Sequence, residues 1–417
     1  SSIDWSSSCV AGEPCHADKK LSMVNEGGGV ACGRSVGIMT RVVAAMSGGV
    51  DSSVTAALLH EQGYEVIGIT LRLYTPEVTS GLKSTRNCCG IEEVADAKQA
   101  ASKLNIPHYV INMEEEFEKK VINFFAEEYA NGRTPNPCLN CNRHIKFDTL
   151  LKQANAMGIP YLATGHYATI KTVENNKKLY AAKDITKDQS YVLYTLNQSQ
   201  LTKILFPLGE IPKTETRAIA QELGFNVADK PDSVDICFVT SNNYKDFLKK
   251  QGVDFQQGNV IDENGQIVGT HEGIPSYTIG QRRGINYTNQ KKEDPKYVNA
   301  FDLTTNTITV GDKKNLEINR ILLTDVNWIG SMPPANEKFF CRVRYNGQSE
   351  KCQVSNIDGK INIVLDANII RPSSGQSCVI YKGDPQQEGE VVGGGTIEKC
   401  MQTNELVNNK KFSREHQ

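Results

Sequence analysis

The chain has 417 residues, with 46 Lys plus Arg against 48 Asp plus Glu and a formal net charge of -2. That length admits two or three domains, and the charge balance excludes a uniformly basic nucleic-acid coat while leaving room for a local basic face. Hydrophobic residues at 39% and charged residues at 23% exclude wholesale disorder, no run of about 18 apolar residues is present to span a membrane, and twelve cysteines are too few for a disulfide-built secreted scaffold.

Residues 1–39 are rich in Ser and Gly, lack apolar periodicity and carry Asp4, Glu13, Asp18 and Glu26. They read as a flexible extension rather than a secretory signal or an acid-poor transit peptide. Cys9, Cys15 and Cys32 are spaced too irregularly for a metal site. Cytoplasmic residence is expected, or an organelle matrix if an N-terminal address has been removed. From Arg41 the pattern alternates: strand Arg41–Met46, helix Val50–Gln62, strand Glu65–Leu71, helix Ile91–Leu104, strand Ile106–Asn112, helices Glu114–Asn131 and Arg143–Met157, and strand Ile159–Thr164. Such spacing predicts parallel β–α–β units in a doubly wound α/β domain over 40–240, binding ligands beyond the C-terminal strand ends. A helix over Lys213–Leu223 closes it. Glycines 258, 265, 269, 273, 280 and 284 then punctuate short segments, which predicts a small central domain over 241–315. Short alternating strands at Lys338–Tyr345, Lys351–Val354, Lys360–Leu365, Ser377–Tyr381 and Glu390–Ile397 predict an antiparallel β-barrel over 316–400, followed by a polar tail over 401–417.

The sharpest local signal is Ser47-Gly48-Gly49-Val50-Asp51-Ser52-Ser53, between a strand and a helix. Glycines permit a tight turn, amides at a helix N-terminus attract phosphate, and the serines add hydroxyls. The loop lacks the Gly-Lys-Ser/Thr ending of the common P-loop. It resembles the pyrophosphate loop of ATP-pyrophosphatases, which split ATP between its α- and β-phosphates. A capped β–α turn is the bland alternative.

A second signal is Pro135-Asn136-Pro137-Cys138-Leu139-Asn140-Cys141-Asn142-Arg143. The prolines predict an extended approach, a helix opening at Asn142 or Arg143, and Cys141 near that helix N-terminus, where positive potential favours thiolate. A third is Asp232-Ser233-Val234-Asp235-Ile236-Cys237-Phe238, in which Cys237 alone reads as a small buried hydrophobe. Zinc is disfavoured, because a closed site wants four ligands. Cys88-Cys89 reads as loop, and Cys341, Cys352, Cys378 and Cys400 as barrel core.

Together with Ala163-Thr164-Gly165-His166-Tyr167-Ala168, Lys187-Asp188-Gln189-Ser190-Tyr191, Gly280-Gln281-Arg282-Arg283-Gly284, Arg342-Val343-Arg344-Tyr345, Ser374-Gly375-Gln376-Ser377 and Gly393-Gly394-Gly395, these motifs stand in the order seen in tRNA-specific 2-thiouridylases. The chain resembles that family from about Thr40 to Ile397. The resemblance implies ATP with Mg2+ as cofactor, adenylation of the C2 oxygen of a wobble uridine in a tRNA anticodon stem-loop, and replacement of that oxygen by sulfur. It implies ATP contacts from Ala45, Met46, Ser47 to Ser53, Leu71 and Gly165, with Asp51 catalytic. Cys237 resembles the position that carries persulfide sulfur, and Cys141 its partner. Asn136, Pro137, Cys138, His166, Lys187, Asp188, Gln189, Arg344, Tyr345 and Gln376 are implied as contacts to the base and the tRNA. Residues 187–191 suit phosphate contact and stacking on a flipped base, and alternation places Arg342 and Arg344 on one strand face. A sulfur-relay protein or cysteine desulfurase is the implied donor, and no membrane is involved.

Many family members carry Asp where this chain has Cys138. Three thiols, Cys138, Cys141 and Cys237, therefore resemble the subgroup associated with a 4Fe-4S cluster, and a cluster route stands open beside a persulfide and disulfide cycle. Two other functions remain open from the residues alone: an amidotransferase-type synthetase or argininosuccinate synthase with the same loop, and a noncatalytic tRNA-binding scaffold.

Overall fold

The computed structural model describes residues 39–74, 91–232, 236–239, 243–287 and 295–402. The N-terminal extension, Cys88-Cys89, Asp235 and most of the tail lie outside them. Strand β1 (Arg41–Ala45) has Val42, Val43 and Ala44 fully buried, as expected of a strand covered on both faces. Helix α1 (Val50–Glu61) returns the chain to β2 (Glu65–Arg72), and α2 (Ile91–Lys103) leads to β3 (His108–Asn112). Beyond β4 (Tyr161–Ala163), the hairpin β5 (Ala168–Val173) and β6 (Asn176–Ala181) precedes β7 (Ile204–Leu205). The parallel sheet runs in the order β3-β2-β1-β4-β7. Its strand order reverses between β1 and β4, which makes their C-terminal ends the natural ligand crevice.

The central unit is a four-stranded mixed sheet of β8 (Gly258–Ile261), β9 (Ile267–His271), β10 (Tyr297–Asp302) and β11 (Thr307–Gly311). The third unit contains β12 (Glu317–Trp328), β13 (Phe339–Arg342), β14 (Glu350–Ile357), β15 (Lys360–Ile370), β16 (Ser377–Lys382) and β17 (Glu390–Met401). Antiparallel pairing of β12 with both β15 and β17 closes it into a barrel. The expected α/β domain, small middle unit and β-barrel are therefore present. Strand β12, absent from the expected strands, carries a bulge at Asp325, where φ is 47° and the register slips between Thr324 and Asn327. That bulge breaks the two-residue alternation.

The hairpin was also invisible in the pattern. Its turn residues Glu174 and Asn175 both have positive φ without a glycine between the strands. Strand β6 pairs with β17 through Tyr180↔Glu390 and Leu179↔Val391, so a piece of the α/β domain extends the barrel's sheet. No helix among the described residues is long and apolar enough to cross a membrane.

Candidate active site

The loop after β1 is shaped by close approaches. Gly48 has φ +74°, and a Cβ there would lie 2.2 Å from the backbone oxygen of Glu93. At Gly165, just past β4, a Cβ would lie 2.8 Å from the backbone of Asp51. Larger residues at either point would push β4 or α2 away from the start of α1. Gly49 is the N-cap of α1 and offers no side chain to its first amides, which leaves them to an anion. Ser52 and Ser53 both donate to the Gly49 carbonyl at 3.0 Å, and the Ser47 amide donates to Ser52 Oγ at 3.1 Å. The serine hydroxyls thus brace the loop. Ser53, fully buried, faces inward rather than towards a ligand.

Behind the loop stands a charged network that motif reading did not assign. Lys213 Nζ donates to both carboxylate oxygens of Asp51 at 2.6 and 2.8 Å and lies 2.8 Å from Asp232 Oδ1. Asp232 also receives Lys187 at 2.8 Å and Arg217 at 2.9 Å. Burial opposes ionisation of Asp232, but hydrogen bonds and charge from Lys187 and Lys213 outweigh it and bring its pKa down to about 2. Tyr167 donates to Asp51 at 2.9 Å, and burial, with the Asp51 charge second, raises its phenol so that it stays a donor. One sequence signal could have found Lys213: a lysine opening a helix (Lys213–Glu222) sits against the helix dipole and needs a specific anionic partner.

Two cavities flank this network. The larger, about 680 Å³, is lined by Ser47, Gly48, Gly49, Val50 and Asp51 from the loop, by Lys187 and Asp188, and by Tyr345 from the barrel. The smaller, about 200 Å³, gathers Ala45, Met46, Leu71, Gly165 and His166, and shares Ser47 and Asp51 with the first. Gln189 borders both, held by two hydrogen bonds with the Tyr167 backbone at 2.8 and 3.0 Å. A mainly apolar recess opening onto an anion-binding loop has the chemistry for a nucleoside triphosphate.

Several expected contacts have other employment. Asp188, whose side chain is 1% exposed, accepts from Arg342 at 2.6 Å, from Ser190 Oγ at 2.9 Å and from the amides of Ala182 and Ser190. It is the core of a buried ion pair rather than a solvent-facing tRNA contact. Tyr191 is fully buried and donates to the Ser377 carbonyl at 2.7 Å, so it cannot stack on a base. Because β13 ends at Arg342, Arg342 turns inward while Arg344 is exposed and donates to the Arg371 carbonyl; the two do not share a strand face. Tyr345 packs on Tyr191 at 6.0 Å, and burial first, then the Asp188 charge, pushes its pKa up to about 12. His166 is buried between Phe147 and Phe206 with Nδ1 2.7 Å from Thr164 Oγ1; burial drives its pKa well below the usual value.

The helix carrying the first thiols starts earlier than expected. Asn136 caps it, accepting from the Cys138 amide at 3.1 Å, and Pro137 occupies its first turn. The helical run continues through a π-wound stretch, Cys141–Leu150. Cys138 therefore holds the first-turn position expected of Cys141, which lies a turn further in. Gln376 Nε2 donates to the Thr134 carbonyl at 2.6 Å and so fixes the approach to this helix from the barrel side. Cys138 is exposed, Cys141 buried and Cys237 half-buried. Cys141 belongs to a large apolar cluster against which Ile236 and Cys237 also pack. Phe238 anchors the second thiol's segment, its ring 5.7 Å from Phe117, 5.3 Å from Phe125 and 5.1 Å from Phe247. Among the described residues no group of three or more His, Cys, Asp or Glu could hold a metal ion. This arrangement does not by itself show a 4Fe-4S cluster on Cys138, Cys141 and Cys237.

Family models match the chain in three successive stretches: a tRNA methyl transferase HUP domain over 40–241, a tRNA methyl transferase PRC-barrel domain over 245–312 and an aminomethyltransferase β-barrel domain over 318–397. The tRNA-specific 2-thiouridylase MnmA of Carboxydothermus hydrogenoformans is 44% identical over 367 residues, covering 87% of this chain and 98% of its own. That of Acetivibrio thermocellus is 43% identical over 365 residues, covering 86% and 99%. A solved 4-thiouridine synthetase–RNA complex with bound ATP shares 18% identity over 51% of this chain and 50% of its own, at a TM-score of 0.33 too low to carry an argument.

Proposed function

The chain belongs to the tRNA-specific 2-thiouridylase family, and from that premise we propose that it is a tRNA-uridine 2-sulfurtransferase acting on the wobble uridine. Adenylation would occur in residues 40–240, with the barrel of residues 316–400 holding the tRNA and residues 241–315 between them. The observation that carries this reading is the phosphate loop backed by Asp51, Lys213 and Asp232, with an apolar recess beside it and the Cys237 segment directly following Asp232. ATP enters as its magnesium complex, with its phosphates on the α1 amides and its base in the recess. The uracil C2 oxygen attacks the α-phosphorus, and pyrophosphate leaves.

Sulfur then arrives from a donor protein, a cysteine desulfurase or relay, as a persulfide on Cys237. Its terminal sulfur attacks C2, and AMP departs with the former carbonyl oxygen. The Cys141 thiolate attacks Cys237 Sγ, forming a disulfide between the two cysteines and leaving sulfur on C2; a thiol reductant restores both. Tyr345, Gln189 and Lys187 border the cavity where the base would enter.

The test is nucleoside mass spectrometry of unmodified tRNA after incubation with the protein, ATP and a persulfide donor. The reading requires 2-thiouridine with stoichiometric AMP. ATP cleavage without a sulfur-containing nucleoside would favour another ATP-pyrophosphatase, and tRNA binding without AMP a scaffold.

A further inference from the structure

The smaller recess carries a cation that neither the loop nor the thiols explain. Lys146 lines it beside Ser47, Asp51, Gly165 and His166. The lysine sits midway along the π-wound stretch Cys141–Leu150, where its neighbours Ile145 and Phe147 are buried and fix the stretch against the core. Lys146 itself is half-buried, and among the described residues it forms no ion pair. Of the described residues lining the recess, Asp51 is the one carboxylate, and both its oxygens already receive Lys213 Nζ, at 2.6 and 2.8 Å. His166 is held neutral, by burial first and by the Lys146 charge second. With Asp51 matched by Lys213 and His166 uncharged, the Lys146 ammonium leaves the recess with one uncompensated positive charge. The complement of such a site is an anion.

We infer that Lys146 is a further catalytic residue, which holds the α-phosphate of the nucleotide. The inference deepens the proposed function and rests on its placing of ATP. With the β- and γ-phosphates on the α1 amides and the base in the recess, the α-phosphate is the anionic group that passes Ser47 and Asp51, which both cavities share. As the uracil C2 oxygen bonds to the α-phosphorus, the bond to the bridging oxygen breaks and its electron pair leaves with pyrophosphate. The ammonium offsets charge on the remaining phosphoryl oxygens without giving up its proton. The same phosphate departs as AMP when sulfur replaces the oxygen on C2, so one cation serves both halves of the reaction. Cys141 opens the same stretch one π turn earlier, which makes activation of that thiol the rival role for the lysine.

The experiment uses the full chain and begins with binding, without tRNA or sulfur: calorimetric titration with AMP and, separately, with pyrophosphate. For Lys146→Met, AMP affinity falls about tenfold or more while pyrophosphate affinity stays within about twofold of the parent's. Lys146→Arg, which keeps the charge, recovers most of the AMP affinity. Given ATP, unmodified tRNA and a persulfide donor, the Met variant forms AMP on the order of 10²-fold more slowly, and 2-thiouridine falls in step. Unchanged AMP affinity, an equal loss for AMP and pyrophosphate, or a parent that does not bind AMP overturns the inference. So does a fall in 2-thiouridine with AMP formation retained, which would assign the lysine to Cys141. Should Lys146→Met fail to fold, Lys146→Gln is read by the same two titrations. A parent that binds AMP and pyrophosphate but yields no 2-thiouridine refutes the thiouridylase reading, and the titrations still decide the role of Lys146.

Discussion

Ser47 to Ser53 form the phosphate loop within one strand-to-helix turn, braced by their own hydroxyls and by Gly48 and Gly165. Cys141 and Cys237 come from separate segments that both pack on an apolar cluster containing Phe117, Phe125 and Phe238. The first site is local, polar and specified by neighbours in sequence; the second is distant, greasy and specified by packing. Apolar packing fixes where a segment lies without discriminating direction, whereas an ion pair with hydrogen-bond geometry ties it to one particular partner.

The comparison predicts that the two sites fail differently. Cys237→Ser has the largest effect: 2-thiouridine formation falls on the order of 10⁴-fold or to background, as for loss of a covalent nucleophile, while tRNA affinity measured by filter binding stays close to the parent's. Asp51→Ala comes next. It removes the Lys213 partner at the loop and lowers AMP formation roughly 10²–10³-fold, the range for loss of one preorganised charged group; normal AMP release would break the assignment of the loop.

A stability effect follows in size. Arg342→Met strands the Asp188 carboxylate, 1% exposed, without its cation. It is expected to cost about 3–5 kcal/mol, read as a lower urea midpoint. An unchanged midpoint would show that the barrel and the α/β domain do not depend on that pair.

Smaller still are the pH effects. The folded pKa of Asp232, about 2, lies below its unfolded value of 3.8. Its stabilisation is therefore complete above about pH 4 and is lost as pH falls through about 2, so it should not shape an activity profile near neutrality. His166 is held neutral by burial first and by Lys146 second. The unfolded chain takes up that proton below about pH 6.5, so stability declines as pH falls through that value. His166→Asn should flatten part of that decline in thermal melts between about pH 7 and 5; an equally steep slope would show that His166 accepts a proton in the folded protein.

Contiguous chemistry was legible in advance. The loop of residues 47–53 and the alternating α/β order could be read along the chain, because turn, cap and period are short-range rules. Lys213 was overlooked because it lies 162 positions from Asp51, and no local rule joins them. Asp188 and Tyr191 looked like exposed recognition groups because polar and aromatic types suit RNA. Only the arrival of Arg342 and Ser377 from the barrel consigns them to the interior.

By itself, the sequence determined the parallel α/β domain, its anion-binding loop, the glycine-punctuated middle and the barrel, since each follows from periodicity and backbone preference within a few tens of residues. Tertiary structure alone decided that the β5–β6 hairpin extends the barrel's sheet, that Lys213 bridges two carboxylates, and that Asp188 is buried with Arg342. Those outcomes depend on which surfaces meet, and burial converts a polar residue from a contact into a structural partner only after the meeting has occurred.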